Sequence, residues 1–128
     1  MRHLAPSSVH SPVARYSHAF EIPPGTRLIL CAGQVGMTPD GSLPQGIEAQ
    51  TEQCFRNIAA ILAEGGMTLG DIVRLNVFLV RREHYAGFSA GRDRHVGDPP
   101  PASTLLFVAG LAHPDLLVEI EVTAAKAG

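Results

Sequence analysis

The chain has no tryptophan, and its aromatic residues amount to 5% of the total, so no aromatic cluster can dominate its interior. Leu, Ile, Val and Ala must do most of the packing. It lacks a charge surplus of either sign: ten basic and twelve acidic residues leave a formal charge of −2, and the basic ones are scattered. A nucleic-acid partner, which needs a basic stripe or groove, is not expected. No apolar run reaches the roughly 18 residues of a membrane span, and Met1 to Pro6 has no apolar stretch of signal-peptide length. With only two cysteines, Cys31 in an apolar run and Cys54 in a helical pattern, free thiols in a reducing cytoplasm are expected rather than a disulfide.

Three chemistries are missing as well. The six histidines, at positions 3, 10, 18, 84, 95 and 113, show no paired metal spacing, so a metal site is not expected. Gly65 to Gly70 lacks the Lys-Ser/Thr of a phosphate-binding loop. Ser103 stands in no Gly-x-Ser-x-Gly elbow and has no evident histidine base.

What remains is 128 residues, 45% of them apolar, enough to bury one core across a single domain spanning 1–128. Residues 1 to about 13 read as an extended or poorly ordered lead-in. Tyr16 to Ile22 and Arg27 to Ala32 read as two strands of a hairpin, joined at Pro23-Pro24-Gly25. The clearest helix runs from Ile47 to Glu64. Its stripe is Ile47, Thr51, Cys54, Ile58, Ile61 and Leu62, and Gly65-Gly66 ends it. Ile72 to Val80 is a strand with Val73, Leu75, Val77 and Leu79 on one face and Arg74, Asn76 and Phe78 on the other. A weaker helix follows from about Glu83 to His95, carrying two glycines that cost about 1 kcal/mol each relative to alanine.

Pro99-Pro100-Pro101 stops that helix and launches a strand near Ser103. Thr104 to Leu111 is nearly all apolar, which suits a strand covered on both faces. After a turn at Ala112 to Asp115, the last strand alternates: Val118, Ile120 and Val122 face one way, Leu117, Glu119, Glu121 and Thr123 the other. Two carboxylates therefore share a face. The order of elements predicts an α+β two-layer sandwich, a mixed sheet with two helices on one face. The other sheet face is too apolar for open water, so self-association is expected to cover it.

Ala14 to Ala19, Ala32-Gly33-Gln34, Gln50 through Asn57 to Leu62, Gly70 to Val73, Pro101-Ala102 and Val118 to Glu121, taken in this order and spacing, resemble the RidA (YjgF) family of imine and enamine deaminase-like proteins. The resemblance runs almost end to end. It implies a chorismate-mutase-like fold, a homotrimer whose sheets pack into a central barrel, and small-molecule clefts between subunits. It also implies that Glu119 positions the attacking water and that Tyr16, Ala32, Gly33, Ser89 and Ser103 line the cleft, without a cofactor. The chain departs from the family's pattern where the carboxylate-binding arginine after Pro-Ala should stand, because here that residue is Ser103. A serine offers one neutral hydrogen bond, about 0.5–1.5 kcal/mol net, where a charge-assisted pair gives about 1.5–3 kcal/mol. Altered or reduced action on 2-imino acids is the expectation, with a non-catalytic ligand-binding or regulatory trimer as the alternative.

Each residue also has a plainer reading. Glu119 can be a solvated strand carboxylate, Tyr16 an ordinary strand aromatic, Gly33 turn punctuation, and Glu121 a structural residue. Arg15, Arg92 and Arg94 are candidate replacements for the missing arginine, although each reads first as a solvated surface charge.

Overall fold

The computed structural model describes all residues, 1–128. Two short strands, β1 (Arg2–Leu4) and β2 (Ala19–Glu21), precede the main sheet strand β3 (Thr26–Val35). Helix α1 (Ile47–Glu64) leads through a 3-10 turn at Leu69–Asp71 to β4 (Ile72–Leu79). A second 3-10 turn at Arg82–His84 opens α2 (Tyr85–His95), and β5 (Ala102–Phe107) and β6 (Val118–Ala127) complete the chain.

The main sheet has the order β3-β6-β4-β5. β4 and β5 are parallel and linked through α2, as a crossover requires, while the last strand runs antiparallel between β3 and β4. β6 is therefore one of the two inner strands, and its alternation is that of a half-covered one. Val118, Ile120 and Val122 are buried beneath the helices, and Glu119, Glu121 and Thr123 lie on the open face. The core packs these residues against Leu75, Val77 and Leu79 of β4, Cys54, Phe55, Ile58 and Leu62 of α1, and Phe88 of α2. Two helices on one face of a mixed sheet is the expected architecture. The sheet itself is open, not closed into a barrel.

Several local expectations are corrected. The turn at Pro23 to Thr26 forms, with Gly25 at φ 80° and Thr26 Oγ1 donating to the Pro23 carbonyl at 2.6 Å, but the strands it joins do not pair. β2 pairs with β1, and β3 pairs with β6 from Thr26 onward. Pro23 and Pro24 have no N–H for a ladder, and the long edge of β6 satisfies β3 instead. The first residues are consequently ordered, with Arg2 bonded to Glu21 at 3.0 Å. In β4 a bulge at Val73 turns Ile72 inward in its place. In α1, Ile61 is exposed and Gln50 and Phe55 are buried. β5 is covered on one face alone: Leu105 packs against the core, whereas Leu106 is 51% exposed and Phe107 36%.

Candidate functional site

Glu119, paired with Val35, sits two residues from a defect in the β3–β6 ladder. Cys31 pairs with Val122 and Gln34 with Ile120, so Ala32 and Gly33 together face the single residue Glu121. Two residues opposed to one is a β-bulge, and bulges re-aim neighbouring side chains. Glu119 fills the space this creates. A Cβ on Gly33 would stand 2.1 Å from Glu119 Oε2 and 2.8 Å from Cδ, so only glycine lets the carboxylate lie against the backbone here.

The two carboxylates of the open face are employed differently. Glu121 accepts from Asn76 Nδ2 at 2.8 Å, and Asn76 in turn accepts from Arg74 Nε at 3.2 Å, a polar chain across β4 and β6. Glu119, half-buried, has no hydrogen-bond or ion-pair partner within the chain. Directly under the bulge, the Cys54 thiol donates to the Gln34 carbonyl at 3.4 Å. Burial, and secondarily the negative charge of Glu119, push that thiol up to about 12, so it is a protonated donor and not a nucleophile. Burial also raises the Cys31 thiol.

The remaining cleft candidates gather at the opposite edge of the sheet. Ser17 forms an isolated parallel bridge with Ala102, its N–H donating to the Pro101 carbonyl at 3.0 Å and its hydroxyl to that of Pro100. This contact docks Tyr16 beside the start of β5. Its ring meets His18 edge-on with centroids 6.0 Å apart. Ser103 is in register with buried Leu75 and so faces the helix side, while Glu119 is in register with Phe78 and faces away. Two inter-strand spacings, across β4, and three residues along it separate them, about 14 Å in the plane of the sheet. Within one chain, Glu119 with Ala32 and Gly33 forms one group, and Tyr16 with Ser103 another. The clefts of the single chain lie elsewhere: one of about 280 Å³ runs between Phe20, Arg74 and Ala102, and none takes in Tyr16, Gly33, Ser89, Ser103 or Glu119.

Ser89, on α2, is bound from within: Arg92 Nη2 donates to its hydroxyl at 2.8 Å. Arg92 itself is the main departure from expectation. Read as a surface charge, it is buried, with 5% of its side chain exposed, because it lies one helical turn after Phe88 on the core-facing side. Arg15 and Arg94 are surface residues as expected, Arg15 donating to the Gly97 carbonyl at 3.0 Å and Arg94 lying 3.9 Å from Glu52.

One important residue stands in the motif that carries the family resemblance but outside the apolar stripe read for the first helix. Gln50 is buried in α1, where it donates to the Pro44 and Asp115 carbonyls at 3.1 and 3.0 Å and accepts from the Leu117 N–H at 2.9 Å. It thereby ties the loop before α1 to the start of β6, the strand that carries Glu119. Helical spacing places position 50 on the inner face, between Ile47 and Cys54, but gives no hint of partners so distant in sequence. No three His, Cys, Asp or Glu side chains converge where a metal ion could be held, and no helix is long and apolar enough to cross a membrane.

The family model described as Endoribonuclease L-PSP matches residues 7–126. Among individual proteins, the chain is 35% identical to yeast MMF1, described as mitochondrial, over 109 residues that cover 84% of this chain and 73% of that one. The Rid-family protein YyfB of Yersinia pestis, described as of unknown function, superposes with a TM-score of 0.84 at 34% identity and 98% coverage of both chains. RidA from an Antarctic Psychrobacter superposes with a TM-score of 0.72 at 30% identity, covering 97% of this chain and 98% of its own. The glycine bulge, the carboxylate lodged against it and the strand order thus sit on a shared fold, and the chain belongs to the RidA/YjgF (endoribonuclease L-PSP) family.

Proposed function

We propose that the protein is a deaminase-like hydrolase of small imines, enamines or related C–N compounds, acting in clefts completed by neighbouring copies of the chain. The observation that carries this reading is the state of Glu119: a half-buried carboxylate held in a bulge that only glycine permits, with no partner of its own. A carboxylate so fixed can accept a hydrogen bond from water and orient its oxygen toward an electrophilic carbon. For an imine, the water oxygen bonds to the C=N carbon while the π electrons move to nitrogen. Glu119 takes the proton that water releases and passes it to that nitrogen. Collapse of the resulting carbinolamine forms C=O and releases ammonia, so one imine and one water give one carbonyl compound and one ammonia.

The separation of Glu119 from Ser103 and Tyr16 within one chain supports a site assembled from two subunits, and the exposed Leu28, Leu30 and Leu106 on the open sheet face support a homotrimer as the assembly. The family description names an endoribonuclease, but a chain of charge −2 lacks the basic groove that RNA binding requires. The proposed setting is the cytoplasm, where two free cysteines stay reduced.

Ammonia release from freshly generated 2-iminopropionate tests the reading in the wild type, Glu119→Ala and Ser103→Arg. Turnover that disappears in Glu119→Ala supports it. An inactive wild type that gains activity in Ser103→Arg supports intact machinery directed at another substrate. Absence of turnover in all three overturns it in favour of a binding or regulatory trimer, the reading that the loss of the arginine favours.

A further inference from the structure

Every side-chain hydrogen bond to a carbonyl of residues 26–37 falls at the bulge or just past it. Gln34 Nε2 reaches back across the bulge to the Ala32 carbonyl at 3.2 Å, and the other bonds come from α1. Cys54 Sγ donates to the Gln34 carbonyl at 3.4 Å, and Asn57 Nδ2 donates to the carbonyls of Val35 and Met37 at 3.1 and 2.9 Å. Gln53 Nε2 donates to Asn57 Oδ1 at 2.9 Å, which turns the NH2 end of that amide toward the strand. Cys54 and Asn57 are three residues apart and so share a face of the helix. Asparagine is a poor residue for a helix interior, because its side chain competes for backbone partners. Here it commits its amide hydrogens to another element.

The placement matters because a bulge is a register defect. Cys31 pairs with Val122 and Gln34 with Ile120, so β3 beyond the bulge runs one residue out of step with β3 before it. A slip of one residue would restore the regular ladder and turn each displaced side chain to the other face. The bonds from α1 grip only the displaced part, Gln34 to Met37, and Val35 within it is the ladder partner of Glu119. Satisfying polar groups does not by itself require this arrangement, since water can reach the Met37 carbonyl at the surface; water, however, would leave the strand free to shift. We propose that Asn57, with Cys54 one turn before it, is a positioning residue: it fixes the register of β3 past the bulge and thereby holds Glu119 against Gly33. That the carboxylate so held hydrolyses an imine rests on the function proposed above; the clamp itself does not.

Nuclear Overhauser cross-peaks between the Gly33 Hα and Glu119 Hγ protons report where the carboxylate lies, independently of any reaction. They are measured in the full-length wild type, Asn57→Ala, Cys54→Ala, Cys54→Ser and Ile72→Val, together with urea midpoints and with kcat and KM for freshly generated 2-iminopropionate. Asn57→Ala is expected to weaken the cross-peaks and to lower kcat about tenfold to a hundredfold with KM within about twofold, the pattern of a displaced catalytic group. Cys54→Ala is expected to weaken them as well, and Cys54→Ser, which keeps a donor for the Gln34 carbonyl, to retain them. Ile72→Val thins the core at the far end of β4 and is expected to lower the midpoint alone. A folded Asn57→Ala that loses midpoint but keeps wild-type cross-peaks and kcat overturns the proposal. Should Asn57→Ala not fold, cross-peaks equal in Cys54→Ala and Cys54→Ser overturn it. If the wild type shows no turnover, weakened cross-peaks in Asn57→Ala leave this inference standing and remove the deaminase; Glu119-dependent turnover with cross-peaks and kcat unmoved in Asn57→Ala does the reverse.

Discussion

Gly36 and Gln50 are in backbone contact: a Cβ on Gly36 would stand 2.7 Å from Gln50 Cα and 2.8 Å from its carbonyl oxygen. The end of β3 and the first turn of α1 thus approach as closely as two chains can, just where Gln50 turns inward to hold the Pro44 and Asp115 carbonyls. Gly33, three residues earlier, has an obstacle of another kind, the carboxylate end of the Glu119 side chain rather than backbone.

The two glycines therefore give opposite predictions. Gly36→Ala has to push backbone against backbone and is expected to destabilise by about 1–3 kcal/mol, as overpacking does, seen as a lower urea midpoint. Gly33→Ala is expected to leave the midpoint nearly unchanged while displacing Glu119 and reducing turnover about as far as Glu119→Ala. In the double variant Gly33→Ala/Glu119→Ala no further loss is expected, because both changes remove the same placed carboxylate. Additive losses would mean that Gly33 acts by another route.

Gln50→Leu tests the amide that ties the loop at Pro44 to the last strand. It leaves the Pro44 and Asp115 carbonyls and the Leu117 N–H, all in part-buried hydrogen bonds, without the amide, and each costs about 1–3 kcal/mol where it stays unsatisfied. Chemical denaturation should show a loss at the upper end of that range or beyond. A loss below about 1 kcal/mol would show that water replaces the amide.

How much of this was legible beforehand differs by element. Helix α1 appears with the expected ends, because an apolar stripe closed by Gly65-Gly66 is purely local information. The alternation of Val118 to Thr123 likewise gave the face on which Glu119 stands, since period two requires no partner. What failed was partner choice. The Pro-Pro-Gly turn was correctly read, yet it joins strands that pair elsewhere, because the last strand, about 90 residues later, outcompetes the nearest neighbour. The bulge at Ala32 and Gly33 was invisible for the same reason: a bulge exists only relative to a partner. Residue type alone places Arg92 at the surface, whereas its position one turn after Phe88 sends it inward.

His95 and Glu52 join the two helices in a way that pH can break. His95 Nε2 lies 2.6 Å from Glu52 Oε2, and its ring stacks on Phe55 with centroids 4.8 Å apart. The hydrogen bond from His95, and then the positive charges of His95, Arg56 and Arg94, hold the Glu52 carboxyl below its ordinary value of 4.5, against an opposing effect of burial. A carboxylate depressed in the folded state contributes stability that is fully present above 4.5 and is lost as pH falls through the folded value. The thermal midpoint should therefore fall on acidification below about pH 4.5, and His95→Gln should flatten part of that fall while costing stability at neutral pH. Identical acid limbs in the two proteins would show that the pair contributes nothing.

The open face of the sheet supplies the last prediction. Leu28 and Leu30 of β3 and Leu106 of β5 are 51%, 76% and 51% exposed, on the same face as Glu119 and the Arg74-Asn76-Glu121 chain. Apolar side chains spread across both edges of a sheet, with its other face already covered by helices, suit the proposed packing against further copies of the same sheet. Light scattering should give a particle of three times 13.6 kDa for the wild type. Leu30→Glu should reduce it toward a folded monomer, because the charge would be buried at the contact and costs nothing on an isolated chain. If the catalytic groups come from two subunits, Leu30→Glu should also lose turnover although Leu30 lies on a different strand from Glu119 and Ser103. A monomeric variant with full activity would mean that one chain suffices, and the separation of Glu119 from Ser103 would then require another explanation.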